Sequence, residues 1–206
     1  MAGEYPVTRF ALLRHAETEW NQHKRIQGQN NSPLTPEGEI QARQWGQLLK
    51  AYRWSRIIAS DAGRALETTA LLSTSLKVPV IHDSRLREQD WGQWTGKTVA
   101  QLKKEVPRFL AEMVAAGWRF CPPGGEDRNA VWKRSQSALK DADQKWPGEK
   151  ILVVTHEGVI KCLVYRLCGR QFLPTEPPFL FSNHLHWLIH DREGLRLEEI
   201  NALKLP

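Results

Sequence analysis

Short runs of apolar residues alternate along the chain with segments whose apolar positions recur at helical spacing. Residues 7–13 form an apolar run that ends in charged and polar residues, which predicts a buried strand leading into a loop. Residues 57–59 and 78–81 predict two further strands. The β-branched, uninterrupted run at residues 151–154 is the clearest buried strand in the chain.

Helical signals lie between these strands. Thr35 is suited to cap a helix that begins at Pro36, where the missing N–H of proline costs nothing. We expect the buried face of this helix to be supplied roughly by Ile40, Trp45, Leu48 and Leu49. We expect a second helix over residues 63–76, with Leu66, Ala70 and Leu72 along it, and a third from just after His156 through Leu167.

The order of these elements predicts the fold class. Strands alternating with helices indicate an α/β protein, here a three-layer sandwich with a mostly parallel central sheet flanked by helices. Residues 184–190 alternate in polarity and residues 195–200 follow a turn, so a terminal hairpin is expected. The β signal disappears over residues 88–146, which predicts a helical insertion over one end of the sheet. We expect residues 1–206 to form one domain.

Composition narrows the choice of partner. The chain has 206 residues, 41% hydrophobic and 25% charged, with a formal net charge of +6. Its lysines and arginines are scattered, and no basic-aromatic stripe of the kind that nucleic-acid surfaces use is present, so a small anionic substrate is the simpler explanation. No apolar run is long enough to span a membrane, and the first residues resemble no secretory signal. We therefore expect a cytoplasmic protein with neither nucleic-acid nor membrane partners.

Cysteine and histidine spacing gives no metal site. Cys121, Cys162 and Cys168 show neither a disulfide framework nor zinc-ligand spacing. Three histidines share one face of the predicted strand at residues 184–190, but no carboxylate or cysteine ligand stands at matching spacing. We expect these histidines to lie on the surface, and we expect no metal and no cofactor.

Chemically capable side chains follow several strands. His15 and Arg14 come at the end of the first strand, and His156 follows the strand at residues 151–154. Arg64 begins the helix after the second strand, and Glu88 follows the third. Because ligands bind beyond the carboxyl ends of strands in open α/β sheets, these five side chains could converge on one crevice.

That set of residues suits phosphoryl transfer. A phosphate monoester is a dianion, so attack on it needs fixed positive charge, which arginine forks supply. A neutral imidazole can attack phosphorus and form a phosphohistidine, and a carboxylic acid can protonate the leaving oxygen. No metal ion is required by this scheme.

The motifs around these residues resemble those of the histidine phosphatase superfamily, in its phosphoglycerate-mutase-like branch. The resemblance lies at four separated places in family order and spans nearly the whole chain. The matching stretches are residues 14–21 (RHAETEWN) with 27–28 and 32–35, residues 60–69 (SDAGRALETT), residues 86–96 (LREQDWGQWTG) and residues 155–158 (THEG).

The resemblance implies a role for each matching residue. His15 would be the phosphorylated nucleophile, and Glu88 would be the proton donor. Six other residues are implied to bind the substrate: Arg14, Arg64 and His156 around the phosphoryl oxygens, Asn21 as a further donor, and Gln27 with Gly28 at the entrance.

Alternative interpretations of two residues stay open, and two positions depart from the family pattern. Asn21 could instead cap a turn, and Glu88 could be a solvated loop carboxylate. Ala16 stands where the family usually has glycine, which would add strain if the backbone there had a positive φ. Glu157 places a carboxylate where many relatives have a small residue, and it would repel a phosphate unless it points away.

The resemblance implies hydrolysis of a small-molecule phosphate monoester. The insertion is shorter than in the cofactor-dependent mutases and has no Arg-Arg pair, and residues 122–126 (PPGGE) are closer to the α-ribazole and broad-specificity phosphatases. A mutase activity is the main alternative, and a phospho-ligand-binding protein without catalysis is another. The sequence identifies neither the substrate nor the oligomeric state, for which a homodimer is one option.

Overall fold

A six-stranded sheet forms the centre of the computed structural model, which describes residues 5–206. The sheet order is β3-β2-β4-β1-β5-β6, and β1 to β4 run parallel while β5 and β6 are antiparallel. The strands are β1 (Thr8–Arg14), β2 (Arg56–Ala59), β3 (Val80–His82), β4 (Lys150–Thr155), β5 (His184–Asp191) and β6 (Gly194–Lys204).

Seven α-helices connect or cover these strands in the described residues. In chain order they are α1 (Glu19–Gln22), α2 (Pro36–Leu49), α3 (Gly63–Leu76), α4 (Val99–Glu105), α5 (Pro107–Ala115), α6 (Arg128–Lys145) and α7 (Glu157–Leu167). Among residues 5–206, no helix has both the length and the apolar character needed to cross a membrane. Residues 1–4, where no secretory signal was predicted, lie outside the described residues.

Apolar side chains cover both faces of the sheet because successive residues of a buried strand point to opposite sides. On one face, Ala11 and Leu13 of β1 belong to the cluster that includes Trp45 of α2 and Leu72 of α3. On the other, Phe10 and Leu12 of β1 belong to the cluster that holds residues of α6 and α7. The predicted three-layer α/β fold with a mostly parallel sheet is therefore confirmed.

The register of the parallel strands brings their carboxyl ends to one edge. Arg14 at the end of β1 lies opposite Thr155 at the end of β4, and Ala59 of β2 lies opposite Val154. The residues that follow, His15, Ser60 and His156, therefore emerge together. This edge holds the cavity described below.

The insertion at residues 88–146 contains α4 to α6 and no strand among its described residues, as predicted. It has its own small apolar cluster, built around Trp94, Leu102, Leu110 and Phe120. The helices of the insertion therefore have a core of their own beside the main one. The single-domain organisation stays a prediction.

The predicted inner faces of α2 and α3 were partly wrong. Ile40 and Leu48 are about half exposed, and Leu66 and Ala70 also face solvent. The inner face of α2 consists instead of Trp45 and Leu49 with small residues: Gly38, Ala42 and Gly46. Gly46 lies against α3, where an added Cβ would stand 3.2 Å from the side chain of Ser75. Close helix packing thus selects small residues that hydrophobicity alone does not identify.

Some strand boundaries and one short helix also differ from the sequence expectation. The third strand is Val80–His82 rather than residues 78–81, and it pairs with β2 over three residues. The short helix α1 was not predicted, because its four residues carry no hydrophobic period. It begins with a capping box in which Thr18 and Asn21 bind each other's backbone N–H groups.

The N-cap of α2 allows a prediction about the stability of the protein. The Thr35 hydroxyl is buried and accepts a hydrogen bond of 2.9 Å from the backbone N–H of Gly38. Thr35→Ala should therefore cost about 1 kcal/mol of unfolding free energy. In a chain of this size that corresponds to a melting temperature lower by about 2–4 °C, measurable by calorimetry.

Thr35→Ser is the matched control, because serine keeps the capping oxygen. It should retain most of the stability that alanine loses. Equal destabilisation by the two substitutions would contradict the capping role.

Candidate active site

A cavity of about 390 Å³ opens at the carboxyl edge of the sheet. Seven of the eight predicted site residues line it: Arg14, His15, Asn21, Gln27, Gly28, Arg64 and Glu88. The eighth, His156, is fully buried beside His15, and the centres of the two imidazole rings are 5.2 Å apart. The structure therefore brings the residues of the four motifs together at one place.

His15 is held in one orientation by hydrogen bonds at both ring nitrogens. Its Nδ1 lies 2.8 Å from the carbonyl oxygen of Ala16, and its Nε2 lies 3.2 Å from Nε of Arg64. A carbonyl can only accept and a guanidinium can only donate, so the proton is on Nδ1 and the lone pair on Nε2. Burial, with the charges of Arg14 and Arg64, holds the pKa of His15 well below its ordinary value. The imidazole is thus neutral at pH 7, with Nε2 as its nucleophilic atom.

Arg64 is held by the loop after α1. Its guanidinium donates to the carbonyl oxygens of Gly28 at 2.8 Å and Asn30 at 2.7 Å, and its backbone N–H donates to Oδ1 of Asn31 at 2.7 Å. Burial lowers the pKa of Arg64 to about 10, so it stays charged at neutral pH. The result is a rigid cation beside the nucleophile.

His156 is anchored from the neighbouring strand. Its Nε2 lies 2.9 Å from the hydroxyl of Ser60, which follows β2. Nδ1 is buried and has no hydrogen-bond partner within the described part of the chain. Burial and the charge of Arg64 lower the pKa of His156 well below its ordinary value, so this ring is neutral too. A buried ring nitrogen without a partner is costly, so a ligand atom within hydrogen-bond distance of it would be stabilising.

Glu88 is positioned by backbone donors rather than left in solvent. Its Oε1 accepts from the N–H of Gln89 at 2.8 Å, and its Oε2 accepts from the N–H of Gly158 at 3.1 Å. Glycine is needed at position 158, because an added Cβ would lie 2.3 Å from Oε1 of Glu88. The interpretation of Glu88 as a solvated loop carboxylate therefore does not describe its environment.

The charge of Arg14 is balanced by Glu157, the residue that departs from the family pattern. Its guanidinium forms an ion pair of 2.8 Å with Glu157, which also pairs with Lys161 one helical turn later. Burial alone would raise the pKa of Glu157, but the charges of Arg14 and Lys161 outweigh it and hold the pKa below its ordinary value. Glu157 lines the cavity rather than pointing away from it. Its charge is balanced by the two cations instead.

The remaining predicted residues shape the entrance. Oδ1 of Asn21 accepts from the backbone N–H of Thr18 at 3.1 Å, so Asn21 caps α1 and lines the cavity at once. Gln27 donates to Oγ1 of Thr18 at 2.8 Å, and its buried Oε1 has no partner among residues 5–206. Gly28 has φ +53°, a conformation that favours glycine, and this turn directs its carbonyl oxygen at Arg64.

Ala16 introduces no backbone strain. It is not among the residues with positive φ, and its N–H donates to Oγ1 of Thr68 at 3.0 Å. A small residue with an ordinary backbone conformation therefore serves at this position.

Three further cations line the cavity and were not predicted from the sequence: Arg25, Arg128 and Lys161. Lys161 could have been found from its position four residues after Glu157 on one helix face. With Arg14 and Arg64, the cavity has five cationic side chains against the carboxyl groups of Glu88 and Glu157. This balance favours an anionic ligand.

Two of the three histidines of β5 do not lie on the surface, contrary to the expectation from the sequence. His186 is almost fully buried, and Nδ1 of His190 lies 2.9 Å from the buried carboxylate of Asp143. Across residues 5–206, no cluster of three or more His, Cys, Asp or Glu side chains is arranged to hold a metal ion. Metal independence stays a prediction.

Comparison with known proteins agrees with this geometry. The chain is 35% identical over 158 residues to a protein of Salmonella choleraesuis named “Probable phosphoglycerate mutase GpmB”, which covers 77% of this chain and 74% of that one. The YhfR protein of Bacillus stearothermophilus superposes with a TM-score of 0.86 at 30% identity, over 96% of this chain and 98% of its own. A mycobacterial glucosyl-3-phosphoglycerate phosphatase superposes with a TM-score of 0.81 at 29% identity, over 96% of this chain and 100% of its own.

The sequence profile of branch 1 of the histidine phosphatase superfamily matches residues 10–203, which includes every site residue discussed above. The predicted resemblance is thereby confirmed over nearly the whole chain. This chain belongs to the histidine phosphatase superfamily, branch 1.

Proposed function

We propose that the protein hydrolyses a small-molecule phosphate monoester through a phosphohistidine on His15. The observation that carries this proposal is the neutral imidazole of His15, whose Nε2 lone pair faces a cationic cavity beside the rigid guanidinium of Arg64. Fixed positive charge next to an oriented nucleophile is what attack on a phosphate dianion requires.

In the first step, Arg14 and Arg64 bind the phosphoryl oxygens. The hydrogen bond from Nε of Arg64 to Nε2 of His15 is exchanged for one to a phosphoryl oxygen, which frees the lone pair. Nε2 then forms a bond to phosphorus as the ester P–O bond breaks. Glu88 in its acid form gives its proton to the leaving oxygen.

In the second step, water takes the phosphoryl group. Glu88, now a carboxylate, accepts a proton as the water oxygen bonds to phosphorus and the N–P bond breaks. With Nε2 of His156 accepting from the Ser60 hydroxyl, Nδ1 carries the ring proton and can donate it to a phosphoryl oxygen in both steps. Glu88 thus regains from water the proton that it gave to the alcohol, and the products are an alcohol and inorganic phosphate.

A mutase reaction is the second candidate, because the curated relative named above is a phosphoglycerate mutase by name. In that reaction a phosphoglycerate, rather than water, accepts the group from His15. We favour water because the insertion is short, has no Arg-Arg pair, and has Gln89-Asp90-Trp91 after Glu88 where the mutases have Arg-His-Tyr. The cytoplasmic location, the absence of nucleic-acid and membrane partners, and a homodimer also stay predictions.

The nucleophile is tested by substitution together with chelation. Hydrolysis of p-nitrophenyl phosphate should persist in EDTA and fall by at least about 10³-fold in His15→Ala, because the attacking lone pair is lost. His82→Ala is the control, since His82 is exposed on β3 outside the cavity. Loss of activity on chelation with recovery on adding a divalent metal would overturn the mechanism.

The acid role of Glu88 is tested by comparing leaving groups. Glu88→Gln should lower the rate with an alkyl phosphate by about 10²–10³-fold, because an alkoxide needs protonation as it leaves. With p-nitrophenyl phosphate the loss should be much smaller, since p-nitrophenolate leaves without help. Equal losses for the two esters would remove Glu88 from the acid role.

A further inference from the structure

Arg128 lines the same cavity as His15 but takes no part in the mechanism above. It is the first residue of α6, and its guanidinium carbon lies 4.3 Å from the ring centre of Phe120 and 4.2 Å from that of Phe172. One guanidinium nitrogen donates to the carbonyl oxygen of Gly117 at 2.9 Å. Two aromatic rings and one backbone acceptor therefore fix the side chain while other N–H donors stay uncommitted.

The charge of Arg128 has no counter-ion in the described residues. Arg14 pairs with Glu157, and Arg134 pairs with Glu126, but no carboxylate of residues 5–206 lies within ion-pair distance of Arg128. Burial lowers the pKa of Arg128 to about 10, so the group remains a cation at neutral pH. A largely buried, unpaired cation costs free energy that an incoming anion can recover.

Phe172, whose ring lies beside Arg128, lines the same part of the cavity and has a strained backbone. Phe172 has φ +61°, a left-handed conformation that is unfavourable for a bulky residue. Its ring is held by Trp118, with ring centres 4.8 Å apart, and by Tyr165 at 4.5 Å, and it lines the cavity. Strain of this kind persists only where packing enforces it, so these contacts hold the ring beside the guanidinium.

Gly117 lets this arrangement form. An added Cβ at Gly117 would lie 2.4 Å from the carbonyl oxygen of Gln171, so only glycine allows the loop before Phe172 to approach so closely. Gly117 also accepts the hydrogen bond from Arg128. The loop, the aromatic rings and the guanidinium are thus fixed to one another.

The cavity also has room for more than a phosphoryl group. Its volume of about 390 Å³ lies within the range of pockets that hold whole small ligands. Arg64 belongs to the phosphoryl end through its hydrogen bond to His15. Arg128 provides an uncompensated cation for another part of the same ligand.

We propose that Arg128 binds a second oxyanion of the substrate, so that the preferred substrates are phosphate monoesters that carry a further carboxylate or phosphate group. The proposal rests on the proposed function, since it names the substrate class of the same site. Arg128 acts here as a specificity residue that contacts the part of the substrate remote from the reacting phosphorus.

Binding of non-hydrolysable phosphonates tests this assignment without catalysis. The probes are phosphonoacetate, 3-phosphonopropionate and 4-phosphonobutyrate, each compared by calorimetry with the alkylphosphonate of equal chain length. Because a charged fork gives a strong hydrogen bond to an oxyanion, at least one carboxylated probe should bind about tenfold or more tightly than its alkyl counterpart. Propane-1,3-bisphosphonate then distinguishes a preference for phosphate from one for carboxylate.

Arg128→Gln should abolish this discrimination while leaving the affinity for the alkylphosphonates within about twofold. Arg119→Gln is the matched control, because this substitution removes the same charge. Arg119 is exposed and is not among the residues that line the cavity. It should keep the discrimination. Arg128→Lys should restore part of it, since lysine keeps the charge without the fork.

Equal affinities for carboxylated or bisphosphonate probes and alkyl probes in the unsubstituted protein would overturn the proposal. So would a discrimination that survives Arg128→Gln, or a loss of affinity for both probe types alike, which is the mark of a structural role. A preference for the carboxylated or bisphosphonate probes in a protein that hydrolyses no phosphate ester would leave the second anion site in place and overturn the proposed function instead.

Discussion

The hydrogen bond between the buried guanidinium of Arg64 and Nε2 of His15 is the contact on which the site depends. It requires a neutral imidazole, because a protonated ring would have no lone pair for the guanidinium and would place two cations in contact. The pKa of His15 is lowered by burial and by the adjacent arginines, which keeps the ring neutral. A nucleophile and an anion-binding group are therefore maintained by the same interaction.

The surrounding fold serves to hold that pair in place. Strands β1, β4 and β2 end at one edge and deliver His15, His156 and the hydroxyl of Ser60 together. The positive φ of Gly28 presents a carbonyl oxygen to Arg64, and the missing side chain of Gly158 admits Glu88. These glycines matter for what their backbone can reach, so substitution at either would displace a charged group of the site.

Much of this arrangement could be predicted from the sequence. The bounds of α3 and the end of α7, the strands near residues 7–13 and 151–154, and the convergence of the motif residues all follow from local patterns and the geometry of parallel sheets. Features set by tertiary contact could not be predicted. These include the tautomer of His15, the ion pair between Arg14 and Glu157, and the unpaired charge of Arg128. Each depends on which distant groups become neighbours, and no local pattern encodes that.

The most direct test is the position of the phosphoryl group on a trapped phosphoenzyme. Rapid quenching in base after mixing with a good substrate, followed by ³¹P and ¹⁵N NMR of the denatured chain, identifies the bonded nitrogen. Since Nδ1 of His15 is committed to the carbonyl oxygen of Ala16, the phosphoryl group should be on Nε2. Phosphorylation at Nδ1, or turnover without any phosphohistidine at His15, would contradict the account.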